Sequence, residues 1–530
     1  MTAHCRKDRI QRAMKKALFF AAILPFAIFS KPSPLAARQT RPAPAAAKPA
    51  ATAAPPPKEV SVVTEHSIRI GGQEIPYQAR VGSILIKDDK GEPTALIYYT
   101  AYTRTDIKNL DHRPISFLYN GGPGSASIWL QMGAYGPRRV VVANAAPTGG
   151  APYQLVDNQY SLIDASDLVF IDPVGTGFSH AVGKAKDQDF WGVDQDVRSL
   201  AKFINAYVTR NNRWNSPKFL IGESYGTFRS AALVNYLQNN DGMYFNGVVL
   251  MSSVLDSATL SFPPGEDLAY VLYLPSYAAT AYYHHLLSPE PSNLDTFLQQ
   301  VRQFAETKYA DALLQGARLP AAQKTAIAQQ ISRFTGLSVD YVLQANLRVN
   351  LPQFMIELQR KRGLATGRLD ARFSGPIYDP LAEYSQYDPQ STAITGAFTA
   401  AWQHYLLDEL KFKSDMPYHV VADFHGHHWD WKHKGDEGYG FPGYANVELD
   451  LVQALITNPH LQVQVENGYY DLATPFFATE YTMDHLGLPP SLESHIQLEY
   501  YRSGHMMYLR LPSLARLKAN VAAFIGANAK

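Results

Sequence analysis

Short apolar runs separated by polar and turn-forming residues recur along the chain from about residue 59 onwards. Short runs rich in β-branched and aromatic side chains predict β-strands, because such side chains pack well on a pleated surface. The predicted strands lie at 61–63, 67–70, 95–102, 115–119, 168–171, 218–221, 248–251, 462–465 and 496–500.

A helical pattern lies between two of these runs. Apolar side chains from Phe190 to Val208 recur at helical spacing, and Asp187 or Asp189 is available as the N-cap. Strand, helix and strand in this order predict a mostly parallel sheet that helices cover on both faces. The pattern therefore predicts the α/β class.

Residues 257–440 break this alternation and contain helix-like stretches at 294–314, 321–334 and 338–347. Sheet-type runs resume after residue 441. A helical block inside an α/β chain is typical of an insertion that folds over the sheet edge as a lid or cap. We therefore expect a core at 59–256, a helical cap at 257–440 and the rest of the core at 441–530.

The first residues have the layout of a secretory signal, with basic side chains at 6–16 followed by an apolar run at 17–29. This run is shorter than the roughly 20 apolar residues of a membrane span. We predict a signal peptide at 1–37, with an uncleaved amphipathic anchor as the alternative, and a Pro/Ala-rich linker at 38–58. The predicted destination is periplasmic or extracellular.

Composition removes several classes of function. The formal net charge is +1, which gives no indication of a nucleic-acid partner or an anionic membrane surface. The single cysteine, Cys5, lies in the predicted signal peptide. A cysteine protease, a thiolate metal site and a disulfide framework are therefore excluded from the mature chain. Nothing in the sequence indicates an oligomeric state.

The segment 218–227 runs from an apolar strand through Gly222-Glu223-Ser224-Tyr225-Gly226 into a predicted helix. This G-x-S-x-G arrangement is a nucleophile elbow, in which the serine occupies a tight turn that exposes its hydroxyl. Glycines are needed on either side because side chains there would clash. Ser224 is therefore the candidate nucleophile.

Glycines also follow the predicted strand at 115–119, in the string Asn120-Gly121-Gly122-Pro123-Gly124-Ser125. Backbone N–H groups of such a turn can point inward and stabilise an oxyanion. An ordinary glycine-rich turn and a phosphate cradle are the alternatives, but the string lacks the lysine and the spacing of phosphate-binding loops.

A general base and its acidic partner are expected after the serine in the chain. Asp471 follows the predicted strand at 462–465, and His505 follows the one at 496–500. Strand ends are where such sheets carry their active residues. A single loop Asp or His is most often a solvated surface residue, and the joint placement of all three favours a catalytic triad.

The strings NGGPGSAS, GESYGT, PVGTGFS and SGHMM, with the spacing of Gly468, Asp471 and Pro475, resemble the signature blocks of the serine carboxypeptidase family. The resemblance covers roughly residues 98–511 and is loose in the insertion. It implies an α/β-hydrolase fold with a helical insertion, in agreement with the pattern above.

The resemblance also implies roles for individual residues, which fall into three groups. The triad would be Ser224, Asp471 and His505, the oxyanion hole the amides of Gly122 and Tyr225, and the site for the substrate's terminal carboxylate Asn120, Gly121 and Glu223. A carboxylate ligand beside Glu223 would raise the pKa of that glutamate, so that the protonated form donates a hydrogen bond.

Two positions depart from the family pattern. A glutamate usual fourteen residues after the asparagine is Ala134 here, and a tryptophan usual two residues before it is Leu118. Carboxylate binding is thus less well defined than the triad, and Arg138 or Arg139 is a candidate substitute.

The string at 424–433 carries four histidines, two tryptophans and an aspartate. Zinc binding is one interpretation, but the spacing follows no zinc pattern and the predicted reaction needs no metal or other cofactor. We favour the alternative that the tryptophans pack the insertion against the site or line a side-chain pocket.

The sequence thus predicts an exported serine carboxypeptidase that acts on peptides with a free C-terminal carboxylate through an acyl-enzyme on Ser224. A serine esterase or acyltransferase with the same triad is the alternative. A binding protein on an inactive hydrolase scaffold is a third possibility, which the complete set of triad residues disfavours.

Overall fold

The computed structural model of the chain describes residues 57–433 and 443–529. The predicted signal peptide at 1–37, nearly all of the predicted linker at 38–58 and the junction between cap and second core part lie outside these ranges. Within the two ranges, no helix combines the length and the apolar character that crossing a membrane requires.

Ten strands of the described ranges form one sheet, and four short strands form two separate pairs. The strands are β1 (Ser61–Ile70), β2 (Gln73–Lys87), β3 (Pro93–Arg104), β4 (Ile115–Tyr119), β5 (Arg138–Val140), β6 (Leu155–Asp157), β7 (Asp167–Ile171), β8 (His180–Ala181), β9 (Lys218–Glu223), β10 (Gly247–Met251), β11 (Leu364–Thr366), β12 (Ser374–Pro376), β13 (Gln462–Gly468) and β14 (Ile496–Tyr501). The order across the large sheet is β1, β2, β3, β7, β4, β9, β10, β13, β14, with β8 beside β3.

The sheet is antiparallel at its first edge and parallel from β7 to β14. The parallel strands β4, β7, β9 and β10 are buried along their whole length, as expected for strands covered on both faces. This arrangement confirms the α/β-hydrolase fold, and each predicted run lies in a strand, with the runs at 61–63 and 67–70 joined in β1.

Helices cover both faces of the sheet and fill the insertion. They are α1 (Val193–Arg210), α2 (Tyr225–Asp241), α3 (Leu268–Tyr283), α4 (Leu294–Phe304), α5 (Ala310–Gln315), α6 (Ala321–Thr335), α7 (Val339–Gln344), α8 (Leu351–Glu357), α9 (Pro389–Asp408), α10 (Glu448–Thr457), α11 (Phe476–Asp484), α12 (Pro490–Glu493) and α13 (Leu511–Asn528). One face of the sheet packs against α1, α2 and α10, and the other packs against α9 and α13.

Helix α1 begins differently from the prediction. Its N-cap is Gly192, whereas Asp187 and Asp189 belong to a preceding 3-10 turn in which Asp189 accepts a hydrogen bond from the Lys186 N–H at 2.9 Å. The predicted cap at Asp187 or Asp189 is therefore wrong, because the chain makes a separate turn before the helix starts.

The insertion has two structurally different parts. Helices α3 to α8 share an apolar core with the residues that follow β13, whereas α9 packs in the core of the sheet. The predicted helix at 294–314 is divided by a π-helical turn at Ala305–Tyr309. The domain boundaries at 257 and 440 stay a prediction.

Residues 418–433, which we call the strap, lie along the carboxyl edge of the sheet. The Val420 carbonyl accepts the Ala126 N–H at 3.0 Å, and the Ala422 N–H donates to the Gly124 carbonyl at 2.7 Å. The Asp430 carbonyl accepts the Val193 N–H at 3.0 Å. The strap thus joins the loop after β4 to the start of α1.

Candidate active site

Ser224 occupies a strained turn between β9 and α2. Its φ of 61° and ψ of −129° are rare for a residue with a side chain and cost on the order of 1–3 kcal/mol. A Cβ on Gly222 would lie 2.2 Å from the Gly226 carbonyl oxygen, so the turn closes only with glycine there. The Ser224 N–H donates to the Met251 carbonyl at 2.9 Å. This is the geometry of a nucleophile elbow, with a half-buried serine.

Asp471 and His505 are hydrogen-bonded to each other. The distance from His505 Nδ1 to Asp471 Oδ2 is 2.7 Å, and both side chains are buried. Burial by itself lowers the pKa of His505, but the Asp471 carboxylate more than offsets this, so the pKa of His505 is raised. A histidine held by a carboxylate in this way is a competent general base.

Thr474 donates two hydrogen bonds to the carboxylate of Asp471. Asp471 Oδ1 accepts the N–H groups of Ala473 and Thr474 at 2.8 and 2.9 Å, and Oδ2 accepts the Thr474 hydroxyl at 2.8 Å. These donors fix the orientation of the carboxylate. We did not predict Thr474 from the sequence, although an Asp followed three residues later by Thr is typical of such a local turn.

The ends of β9, β10, β13 and β14 bring the three loops to the same edge of the sheet. Ser252, directly after β10, donates its N–H to the Glu466 carbonyl at 2.8 Å and its hydroxyl to the His505 carbonyl at 2.7 Å. The preceding residue, Met251, accepts the Ser224 N–H. Strand β10 therefore holds the serine turn and the histidine loop in adjacent positions.

The glycine loop after β4 lies against the elbow. A Cβ on Gly121 would be 2.4 Å from the backbone nitrogen of Tyr225, so only glycine permits this approach. Gly122 has a φ of +106° and is exposed at the mouth of the site. The structure thus places Gly121 against the Tyr225 amide, and Gly122 is the next residue in the chain.

Asn120 and Glu223 form a buried pair immediately beside the elbow. Asn120 Nδ2 donates to Glu223 Oε1 at 2.7 Å, and Asn120 Oδ1 accepts the Leu130 N–H at 3.0 Å. Glu223 is 2% exposed, and its Oε2 makes no hydrogen bond of standard geometry among the described residues, while the Tyr508 hydroxyl is near enough to lower the pKa of the carboxyl. Burial raises the pKa of Glu223 to about 7, so the carboxyl is largely uncharged below neutral pH.

The positions that depart from the family pattern offer no replacement acid. Ala134 is fully buried in a π-helical turn at Leu130–Tyr135, and Leu118 is fully buried in β4. Arg138 pairs with Asp157 and Glu409, and is therefore not available to the site. The suggestion that Arg138 binds the terminal carboxylate of the substrate is therefore wrong.

Arg139 also makes no contact with the buried pair within the described residues. Its Nη1 donates to the Val140 carbonyl at 3.4 Å. The side chain borders a small cavity of about 150 Å³ that Tyr508 and Gly133 also line. The Tyr508 hydroxyl also interacts with Glu223 and lowers the pKa of that carboxyl. Among the described residues, Arg139 makes no hydrogen bond with Asn120 or Glu223.

The histidines of the strap have different surroundings from one another. His433 lies 2.7 Å from both Asp194 and Asp450, and His425, His427 and His428 are exposed. Throughout 57–433 and 443–529, no group of three or more His, Cys, Asp or Glu side chains is placed to hold a metal ion.

The tryptophans of the strap pack on the residue that follows the candidate nucleophile. The ring centroids of Trp429 and Trp431 lie 5.3 and 5.8 Å from that of Tyr225, both edge-on. The other face of the Tyr225 ring stacks on Phe228 at 5.6 Å. The strap therefore supports the Tyr225 side of the candidate oxyanion hole.

The chain is similar to known carboxypeptidases. The family model described as serine carboxypeptidase matches residues 75–351, more than half of the chain. The pheromone-processing carboxypeptidase KEX1 of Cryptococcus gattii is 27% identical over 176 residues, which are 32% of this chain and 24% of that protein. The alignment thus spans about a quarter of that curated relative.

Two peptidases are among the solved structures to which this chain is similar. A prohormone-processing carboxypeptidase of Saccharomyces cerevisiae, Kex1(Δ)p, has 15% identity and a TM-score of 0.49, with 85% of this chain and 91% of that chain covered. A proline iminopeptidase of Mycobacterium smegmatis has 15% identity and a TM-score of 0.35, with 84% and 98% covered.

Proposed function

Because the chain belongs to the serine carboxypeptidase family, we propose that it removes the C-terminal residue of peptides through an acyl-enzyme on Ser224. In the proposed reaction, Ser224 Oγ attacks the scissile carbonyl while His505 Nε2 takes its proton. His505 then returns the proton to the leaving amine as the C–N bond breaks, and water releases the acyl group by the same route. No metal or other cofactor takes part.

The hydrogen bond between Asp471 and His505 Nδ1 gives the imidazole the tautomer that this scheme needs, because it leaves Nε2 free to accept a proton. The amides of Gly122 and Tyr225 are the proposed donors to the oxyanion, which carries the charge that develops in the transition state. In this scheme the scissile carbonyl of the substrate, Ser224 and the Asp471–His505 pair meet at the carboxyl edge of the sheet.

The observation that supports a carboxypeptidase most directly is the buried Asn120–Glu223 pair. A carboxyl with a pKa of about 7 adds little charge below neutral pH, so it does not repel the terminal carboxylate of a substrate. In its protonated form it is also a hydrogen-bond donor, which the unionised carboxyl of Glu223 can offer to a substrate oxygen. We propose that Asn120, Gly121 and Glu223 bind the terminal carboxylate.

A serine esterase or acyltransferase is the second candidate, and the observation that favours it is Ala134. This buried alanine stands where the resemblance implies a second acid at the carboxylate site. A site with one acid instead of two has a weaker requirement for a free carboxylate. The same triad would then act mainly on esters.

The substrate class is tested with three matched compounds: a blocked dipeptide, its C-terminal amide, and a simple ester of the same blocked amino acid. A carboxypeptidase prefers the free acid over the amide. Equal rates for acid and amide, or cleavage of the ester alone, would reject the proposed exopeptidase action.

The nucleophile is tested by labelling with a fluorophosphonate probe. The wild-type chain takes the label, and Ser224→Ala does not while its circular dichroism spectrum is retained. Labelling of Ser224→Ala at the wild-type rate would show that another residue is the nucleophile.

We also propose that the chain is exported to the periplasm or the extracellular space and that residues 1–37 act as its signal peptide. Mass spectrometry of the exported protein tests this, since cleavage near residue 37 removes Cys5 from the product. An intact N-terminus on exported protein would instead support the anchor alternative.

A further inference from the structure

Residues 368–372 of the insertion, which we call the rim segment, are hydrogen-bonded to both catalytic loops. The Leu369 carbonyl accepts the His505 N–H at 2.7 Å, and the Arg368 carbonyl accepts the N–H of Leu472 at 3.0 Å. Leu472 directly follows Asp471 in the chain. The backbone carbonyls of Arg368 and Leu369 are therefore bonded directly to the loops that carry Asp471 and His505.

The rim segment is held in this position by buried charges. Asp370 and Arg372 form an ion pair at 2.5 Å with side chains that are 0% and 2% exposed. Arg372 Nη2 also donates to the Ser503 hydroxyl at 3.0 Å. A Cβ on Gly504 would lie 2.4 Å from the Cβ of Asp370, so the segment and the histidine loop are in close contact. Removing one charge of such a pair is strongly destabilising.

A further carboxylate fixes the backbone of Arg368 itself. Asp388 Oδ2 accepts the N–H groups of Arg368 and Leu369 at 2.6 and 3.1 Å. Asp388 Oδ1 caps helix α9 by accepting the Ser391 N–H at 2.8 Å. Both oxygens are thus used by backbone donors.

The side chain of Arg368 differs from those of its neighbours. It is exposed, and it makes no hydrogen bond or ion pair with any residue of the described ranges. Burial raises the pKa of the Tyr273 hydroxyl, and the charge of Arg368 opposes that rise. The same charge opposes protonation of His505. Because the backbone of residues 368 and 369 is hydrogen-bonded to Leu472 and His505, the guanidinium is tethered beside the catalytic loops while its donors are free.

We propose that Arg368 binds a carboxylate of the substrate at the mouth of the active site, an inference that rests on the proposed function. A guanidinium offers paired N–H donors that match the two oxygens of a carboxylate. Ala134 leaves the buried pair with a single acid, and Arg138 is committed elsewhere. Arg368 is a free cation bonded through its backbone to the catalytic loops.

The carboxylate has two sources, the C-terminal α-carboxylate or an acidic side chain of the substrate. Competition with fluorophosphonate labelling of Ser224 separates them, because it measures binding without peptide cleavage. The competitors are a blocked neutral amino acid, its amide, and the amide of a blocked glutamate. The first carries only an α-carboxylate and the last only a side-chain carboxylate.

We expect Arg368→Ala to weaken binding of one of the two carboxylate competitors by about tenfold and to leave the neutral amide unchanged. Arg368→Lys should restore part of the loss, since it keeps the charge but not the paired donors. Arg318→Ala is the matched control, because Arg318 is an exposed arginine of the same insertion on a short 3-10 turn.

Equal competition by all compounds in wild type and Arg368→Ala would overturn the inference. An equal loss of the neutral amide would also overturn it, because that result indicates a change in shape and not a lost charge. Failure of the proposed function has a different signature. In that case the blocked dipeptide is not cleaved, although carboxylate competition for Ser224 is still measurable.

Discussion

Glu223→Gln tests the role of the buried carboxyl beside the elbow. Glutamine keeps an oxygen that accepts the hydrogen bond from Asn120, which is 2.7 Å in the wild type, and it places an N–H donor at the position of Oε2. The substitution therefore changes the volume of the side chain little, but it removes the ionisable group. A ligand carboxylate meets a neutral donor at every pH in the variant, and only below neutral pH in the wild type.

The pKa of about 7 sets the size of the effect. About nine tenths of Glu223 is protonated at pH 6 and about one tenth at pH 8, so binding of a carboxylate ligand to the wild type weakens about tenfold across this interval. The assay is calorimetric titration of a blocked amino acid and its amide into Ser224→Ala, with and without Glu223→Gln. The amide is expected to bind with the same affinity at both pH values.

His505 is the competing source of pH dependence, because its positive charge also attracts a carboxylate. The pH dependence of binding that remains in Glu223→Gln is due to His505, and the part that is lost is due to Glu223. Identical pH profiles in the two proteins would refute the proposed role of the carboxyl.

The same substitution changes stability in a defined direction. The carboxyl of Glu223 ionises near pH 4.5 in the unfolded chain and near 7 in the folded protein. Between these values the unfolded state releases a proton that the folded state retains, so wild-type stability falls as pH rises, by up to about 3 kcal/mol. Glu223→Gln should flatten this part of the profile in urea unfolding.

Three further changes test other parts of the structure. Asp471→Asn should lower kcat by about 10³ to 10⁴ with little change in KM, because the imidazole is no longer held in the tautomer that accepts a proton at Nε2. A loss of less than tenfold in steady-state kinetics would contradict this. Gly222→Ala should lower the melting temperature sharply or prevent folding, since its Cβ would lie 2.2 Å from the Gly226 oxygen. Gly526→Ala, whose Cβ meets nothing within 4 Å, is the control, and equal effects of the two would refute the steric argument. Glu466 is buried with a pKa raised to about 8 by burial, so Glu466→Gln should reduce the loss of wild-type stability between about pH 4.5 and 8 in urea unfolding, and an unchanged profile would contradict it.

The sequence predicted those parts of the fold that carry a local pattern. The buried parallel strands were found because their apolar runs are continuous and end at turn residues. Strand β2 was missed because a proline, Pro76, lies within its run and because the buried positions change from odd to even numbers near Gly82. Helix α3 was missed for a different reason: it is buried on nearly all sides and contains Pro275, so no helical period separates an apolar from a polar face.

In the candidate site too, features with a local sequence pattern were predictable and long-range contacts were not. The elbow was predictable because the residues around Ser224 are contiguous, and Asp471 and His505 because each follows a strand. The contacts of Ser252 and the rim segment were not, since they join positions more than 100 residues apart that no local pattern relates. The cap of α1 and the role of Arg138 were wrong because spacing in the chain does not reveal which partner a side chain finds.

The bond between the Ser252 hydroxyl and the His505 carbonyl joins positions 253 residues apart, and this separation bears on biosynthesis. During translation the serine turn leaves the ribosome long before the imidazole does. An incomplete polypeptide therefore has a nucleophile without a base, and under the proposed mechanism it cannot hydrolyse its neighbours. The arrangement delays activity until the segment that carries His505 has been synthesised.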